Sequence, residues 1–267
     1  KTDVRFLVDN PEPVPVPAID ADYQAVLDRS TALGYTAPSA SQQTIQNTLV
    51  TDLKAAGVWD KLDVFYCFAT DGDSDFATLN WKAPSSFQTT KVNSPTFTSN
   101  EGYNGDGSTS YLTTNYDLAT NGVNASANDF AVGFYEQSIT FGAWGCIIGC
   151  DDGNKDILLA SRFSSGDPYI RMNDGGFFRP TSTYQTGLNL SARSSSSNVN
   201  YYDTQQNQSS TTYTSGGTPN SVDIEILKFA GASSSADVKV SIAFVAADLS
   251  SEVSGLYSAI NTYMTAL

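Results

Sequence analysis

Val64-Phe65-Tyr66-Cys67-Phe68-Ala69 opens the part of the chain that decides the fold. β-branched and aromatic residues dominate this run, and from Asp63 onward the same pattern returns in short stretches separated by Gly, Asn, Asp and Ser. That alternation of strand-forming runs and turn clusters is the signature of an all-β domain. Strands are predicted at 64–69, 129–136, 144–150, 157–163, 169–172, 187–192, 199–202, 222–229 and 238–245. Asn104-Gly105, Asp106-Gly107, Asp152-Gly153, Asp174-Gly175 and Gly216-Gly217 are placed to supply the positive φ angles that hairpins need.

Helical signals flank this region on both sides. Asp20 is positioned to cap a helix bearing Ile19, Tyr23, Val26 and Leu27 on one face, with Gly34 as its terminator before Pro38. Ser39 begins a second capped run in which Ile45, Leu49 and Leu53 continue an apolar stripe up to Gly57. Two short helices cannot build a core alone, so they are expected against the sandwich or against a neighbouring subunit. Before them, Val4 to Val8 reads as a short strand, and Pro11, Pro13, Pro15 and Pro17 enforce an extended arm. Val253, Leu256, Tyr257, Ile260, Tyr263, Met264 and Leu267 fall on one side of a last helix, with Asp248 or Ser250 as its cap. The domain plan is therefore an arm over 1–19, a helical hairpin over 20–60 and a sandwich with terminal helix over 61–267.

Composition excludes several classes of function. Formal charge is −14, with only 16% charged residues, so no basic patch is present to bind nucleic acid by releasing counterions. No apolar run approaches the ~18 residues of a membrane span. The chain contains no His, which rules out Ser-His-Asp and Cys-His catalysis and weakens any zinc site. Cys146 and Cys150 sit on one predicted strand, too far apart at ~3.3 Å per residue for a disulfide, and are expected to be buried free thiols.

Three segments carry a family resemblance: Phe65 to Lys82 with Leu79-Asn80-Trp81-Lys82 at its end, Ser99 to Leu112 with the small-residue turn from Gly105 to Ser110, and Ala243 to Tyr257, where a strand leaves into a helix. In that order they resemble the concanavalin A-like, laminin-G-like jelly roll found in virion surface proteins of tailed bacteriophages. The resemblance implies an all-β jelly-roll β-sandwich with an N-terminal helical hairpin and a C-terminal helix. It also implies a place on the virion surface as a capsid decoration, spike or fibre component. Residues 1–57 would then contact other virion proteins or identical subunits, and the sandwich would contact host glycans.

Local constellations add candidate sites. Asp71, Asp73 and Asp75 stand at alternate positions, as at the start of a calcium loop. Phe76 and Lys82 replace the Gly and Glu that an EF-hand requires, and the plain alternative is a set of Asx-turns. Asp151, Asp152, Asn154 and Asp156 form a second, less regular group. Asp223 and Glu225 share a strand face, as the paired acids of glycosidases do, but Leu227 and Lys228 stand where a further acid would be needed. Tyr202, Asp203 and Tyr213 are the candidate glycan-binding residues, because aromatic faces stack on sugar rings while polar neighbours hold hydroxyls. Trp81 is assigned to packing. Taken together, the expectation is a non-enzymatic virion surface protein, and the alternative is a soluble or cell-surface glycan-binding module of lectin type.

Overall fold

The structure is a computed structural model that describes residues 18–139, 145–162, 166–174, 176–181, 186–229 and 236–267. The strand expected at Val4 to Val8 and the proline arm lie outside the described residues.

Two antiparallel sheets stack face to face. The larger has the order β12 (Gln208–Thr212), β11 (Asn198–Tyr202), β10 (Gly187–Arg193), β6 (Phe130–Ile139), β14 (Val238–Ala246), β4 (Gly102–Asn104), β3 (Thr96–Thr98), with β1 (Leu62–Cys67) also paired to β14. The smaller runs β2 (Thr90–Val92), β5 (Tyr111–Thr113), β13 (Glu225–Ile226), β7 (Gly145–Cys150), β8 (Asp156–Arg162), β9 (Tyr169–Asp174). The chain is thus a β-sandwich with N-terminal helices and a C-terminal helix, as the sequence implies.

Helix boundaries follow local chemistry. Asp20 accepts from the Asp22 backbone N–H at 2.9 Å to start α1 (Ala21–Leu33), and Gly34 ends it at φ 74°. Ser39 Oγ accepts from the Gln42 N–H at 3.3 Å at the head of α2 (Ala40–Ala55). These side-chain oxygens satisfy N–H groups that have no partner within the helix. After the short α3 (Leu118–Asn121), the last helix is α4 (Val253–Ala266). Its expected caps act otherwise: Asp248 accepts from the N–H and hydroxyl of Ser250, and Glu252 stands at the cap position.

The hairpin packs on the sandwich itself. Tyr23, Val26, Leu49, Val50 and Leu53 join Leu256, Tyr257 and Ile260 of α4 over the outer face of the larger sheet. Phe65, Leu188, Leu190, Ile242 and Phe244 form the floor beneath them. Alternate strand residues point the other way, so Val64, Tyr66, Val132, Phe134 and Val245 meet Ile148, Ile157, Leu159, Ile170 and Met172 of the smaller sheet. The result is three layers: helices, larger sheet, smaller sheet. Burial of each large side chain contributes about 1.5–3 kcal/mol. Trp81 is fully buried in the helix-facing layer, with its ring centroid 5.4 Å from that of Tyr23.

Several local expectations change. The strand at 222–229 shrinks to Glu225–Ile226, because Leu227 takes φ 68°, a conformation no strand contains. Gly105 does not supply a positive φ; a Cβ there would collide with the carbonyl of Ala236, so this glycine permits a close approach of backbones. Cys67 and Cys150 are buried free thiols, and burial pushes the Cys150 thiol up to about 12. The Cys146 side chain lies outside the described residues.

Candidate functional site

The loop predicted to hold calcium fastens the hairpin to the sheet. Asp71 Oδ1 accepts from the Ser39 N–H at 2.9 Å. Asp73 accepts from the N–H groups of Thr36 (2.6 Å), Asp75 (3.0 Å) and Phe76 (2.7 Å). Burial raises the Asp73 carboxyl, but these donors outweigh it and hold it below its ordinary value. Asp75 pairs with Lys91 at 2.6 Å. The three carboxylates turn to different partners, and among the described residues no group of three or more His, Cys, Asp or Glu is arranged to hold a metal ion. Asp151 and Asp152 likewise accept from N–H groups of their own turn, at Gly153, Asn154 and Lys155. A cleft of about 190 Å³ adjoins Asp71, lined by Ser39, Gln42, Asn100 and Leu267, but Gln42 and Asn100 are hydrogen-bonded to each other at 2.8 Å.

Tyr202, Asp203 and Tyr213 are not brought together. Tyr202 is buried on the helix side of the larger sheet, and its carbonyl accepts from the Tyr257 hydroxyl at 2.9 Å. Tyr213 packs at the layer between the sheets, where the Arg193 guanidinium lies 5.3 Å from its ring centre. Asp203 accepts from the N–H groups of Gln205 and Asn207 in the β11–β12 turn. The sequence pairs these residues by nearness along the chain, whereas alternation along the strand sends Tyr201 and Tyr202 to opposite faces of the sheet. As for the acidic pair, Glu225 faces Lys228 at 3.5 Å, and Asp223 lies outside the strand.

A different group gathers on the outer face of the smaller sheet, at its β9 edge. Ile170 exchanges backbone hydrogen bonds with Phe178 at 3.0 and 2.8 Å, folding the chain after β9 back along that strand. Ile170 and Phe178 both point to the layer between the sheets. Residues on either side of such a bridge must point outward, which sets Tyr169, Arg171, Phe177 and Arg179 side by side. Their geometry bears this out. The Tyr169 and Phe177 rings stack at 5.2 Å and 26°. Arg179 Cζ lies 5.1 Å from the Tyr169 ring centre and 5.4 Å from that of Phe177, and Arg171 Cζ lies 5.6 Å from Tyr169. Such cation–π contacts hold a guanidinium over a ring.

Beneath them, Ala160 stands opposite Tyr169 and Leu158 opposite Arg171, and Phe229 packs on the same small apolar cluster. Arg171 also donates to the Tyr169 hydroxyl at 3.2 and 3.0 Å and pairs with Asp156. Burial and the neighbouring Asp151 carboxylate raise Asp156 to about 6 in spite of Arg171. Tyr169 is buried, but Arg179 is exposed and Phe177 keeps 56% of its surface. Only Ile19 and Val123 are comparably exposed large apolar residues among the described residues. The platform is therefore an aromatic face bordered by two guanidinium groups. Sequence inspection missed it because its members are joined by one bridge across the β9 edge; the clustering of Arg162, Arg171, Arg179 and Arg193 in a strongly acidic chain was the available signal.

No protein-family model matches the chain, and no curated protein matches it in sequence. Among solved structures, Trypanosoma rangeli sialidase in complex with 2,3-difluoro-KDN superposes with a TM-score of 0.52 at 8% identity, covering 82% of this chain and 39% of that one. A mutant of the same sialidase displaying trans-sialidase activity gives 0.53 at 11% identity, covering 90% and 38%. Domain 4 of AbnA, a GH43 extracellular arabinanase from Geobacillus stearothermophilus, gives 0.46 at 12% identity, covering 74% and 98%. The chain spans about two fifths of the sialidases' length. At these identities the likeness concerns the fold. Among the described residues no helix is long and apolar enough to cross a membrane.

Proposed function

We propose that this chain is a non-catalytic glycan-binding module of lectin type, and that its ligand lies on the platform of Tyr169, Arg171, Phe177 and Arg179. The observation that carries this assignment is the exposed Phe177 ring, stacked on Tyr169 and bordered by two guanidinium groups. An apolar ring face with a few fixed polar groups at its rim is what a sugar needs, since pyranose C–H faces stack on aromatics while hydroxyls take hydrogen bonds. Resemblance in fold to sialidases is compatible with this role but adds nothing about the ligand. The pairing of Glu225 with Lys228, and the place of Asp223 outside the strand, support a binding role over a hydrolytic one.

Screening the full chain on a glycan array, followed by titration of the best ligand, tests the assignment. Phe177→Ala should abolish detectable binding while the variant still melts cooperatively. Undiminished binding by that variant, or an array without a hit, overturns it.

Display on a tailed-phage virion, with residues 1–57 toward other virion proteins or identical subunits, is the finer form of the proposal and rests on the sequence resemblance. The inward faces of α1 and α2 already cover the chain's own sheet, so such contacts would use their outer faces or the arm. Antibody labelling of intact particles checks this, and purified particles lacking the chain would refute it. Free secretion or cell-surface display is the alternative that result would favour.

A further inference from the structure

We infer that the β12 edge of the larger sheet is a self-pairing interface, to which a second copy of this chain adds its own β12, antiparallel, about a two-fold axis at Ser210. The phase of the ladder fixes which backbone groups are available. In the β10–β11 turn the Ser194 N–H donates to the Asn198 carbonyl at 3.3 Å, and in the β11–β12 turn the Asp203 N–H donates to that of Asn207 at 3.2 Å. Hydrogen-bonded pairs alternate along antiparallel strands, so Asn198, Asn200 and Tyr202 of β11 bond toward β10, while Val199 and Tyr201 bond to Thr211 and Ser209 of β12. The N–H and C=O groups of Gln208, Ser210 and Thr212 therefore point away from the sheet. All three residues are exposed, and among the described residues no backbone group bonds to theirs from outside.

The other sheet edges are covered or cut short. Asn80 bridges Tyr66 along β1, and Phe178 bridges Ile170 along β9. β3 has three residues and follows Pro95, and β2 has three residues and carries Lys91, which pairs with Asp75. Cover, short length, proline and charge are the devices that keep sheet edges from pairing with other chains. β12 has none of them. It runs five residues in unbroken register with β11, and residues 204–222 carry no charged side chain. Gln208 and Ser210 both donate to Asn200 Oδ1, at 3.1 and 2.8 Å, so the edge loses little freedom on pairing.

A copy of the same strand is the occupant that fits. A two-fold axis sets Ser210 against Ser210 and Gln208 against Thr212, so each outward N–H meets a carbonyl and no charges face each other across the pair. With a formal charge of −14 the chain repels its own copies, and an uncharged edge adds nothing to that repulsion. Asp203 stands across the turn from Asn207, which leaves its two copies roughly 20 Å apart along the strands at ~3.4 Å per residue, beyond the ~10 Å reach of exposed charges. Asp248 is separated from β12 by Asn200 and Ser250. The edge belongs to the larger sheet and the glycan platform to the smaller, so either proposal can fail alone.

Sedimentation of the full chain from about 1 μM to 1 mM should show a reversible equilibrium of monomer and dimer. Ser210→Pro removes one outward N–H from each copy, and Ser210→Lys sets like charges together at the axis. Each should raise the dissociation constant about tenfold or more, the loss expected for two hydrogen bonds, while both dilute variants melt as the wild type does. Ser210→Cys should cross-link two copies under mild oxidation, because Cα atoms ~5.5 Å apart at a hydrogen-bonded pair suit a disulfide. Thr212→Cys should not, since its two copies stand roughly 14 Å apart. A chain that stays monomeric throughout overturns the inference. So does a dimer that both Ser210→Pro and Ser210→Lys leave intact, and cross-linking as ready at position 212 as at 210 overturns the two-fold pairing.

Discussion

The outer faces of the two sheets differ in kind. On the larger sheet Phe65, Leu188, Leu190, Ile242 and Phe244 lie under three helices, so both of its faces are apolar and both are buried. On the smaller sheet the outward apolar cluster is confined to Leu158, Ala160 and Tyr169 with Phe229, and around it stand Arg171, Phe177, Arg179, Glu225 and Lys228. No described helix covers it. The contrast separates two tasks: the covered face contributes stability through area removed from water, and the other holds aromatic and charged groups whose exposure has little structural justification.

Removing α1 and α2 is the largest test of this division. Deleting residues 18–57 strips the cover from Phe65 and Phe244, and loss of the cooperative thermal transition is expected by calorimetry. A soluble, cooperatively melting remainder would show that the helices are an attachment and not a layer of the core.

Single substitutions come next. Phe244→Ala should destabilise the fold by about 3–5 kcal/mol in denaturant titration, whereas Phe177→Ala should change it by no more than ~0.5 kcal/mol. Similar losses at both positions would erase the distinction between the faces.

A smaller effect is expected where the hairpin meets the sheet. Asp73→Asn weakens a carboxylate that accepts three backbone N–H groups and should cost about 1 kcal/mol. Because Asp71, Asp73 and Asp75 turn to separate partners, Ser39, Thr36 and Lys91 among them, adding calcium or a chelator should leave the melting temperature of the wild type unchanged. A calcium-dependent rise that disappears in Asp73→Asn would restore the metal site.

The smallest effect is that of pH. Burial raises Asp156 to about 6 and also raises Asp174, Asp223 and Glu225. Between their unfolded and folded values the native state binds protons that the unfolded chain does not, so these groups favour folding more as pH falls from 7 toward 5. Below about 4 the sign reverses. Asp106, held far down by the N–H groups of Ser110, Ser108 and Thr109, and Asp73 must then be protonated, and their contribution is lost. The melting temperature should peak near pH 5, and Asp156→Asn should flatten the rise between pH 7 and pH 5. A monotonic fall from pH 7 downward would mean that the charge beside the platform carries no penalty.

Much of the fold was legible because its signals are local. Asp20, Ser39 and Gly34 act within a few residues of themselves, and the long strands β6, β8, β10 and β14 declare themselves by composition. Three-residue strands such as β3 and β4 do not: they pair with each other, and only the pairing of β4 with the distant β14 places them in the sheet. The end of β13 was missed for another reason: Ile226 and Leu227 are equally apolar, but only the fold sets Leu227 at φ 68°.

The same boundary runs through the function. By itself the sequence determined that the chain is all-β from Asp63 onward, with capped helices before the strands and one helix after them, because backbone propensity and side-chain period are properties of neighbouring residues; the sandwich was what the family resemblance implied. It also determined that His-based catalysis is excluded. Only the tertiary structure decided which side chains meet. Tyr202 disappears beneath α4, the acidic loop closes on the hairpin, and one bridge between Ile170 and Phe178 turns Tyr169, Arg171, Phe177 and Arg179 into a single surface. Such meetings depend on which segments pair across a sheet and which face is already covered, and neither is written in any one stretch of residues.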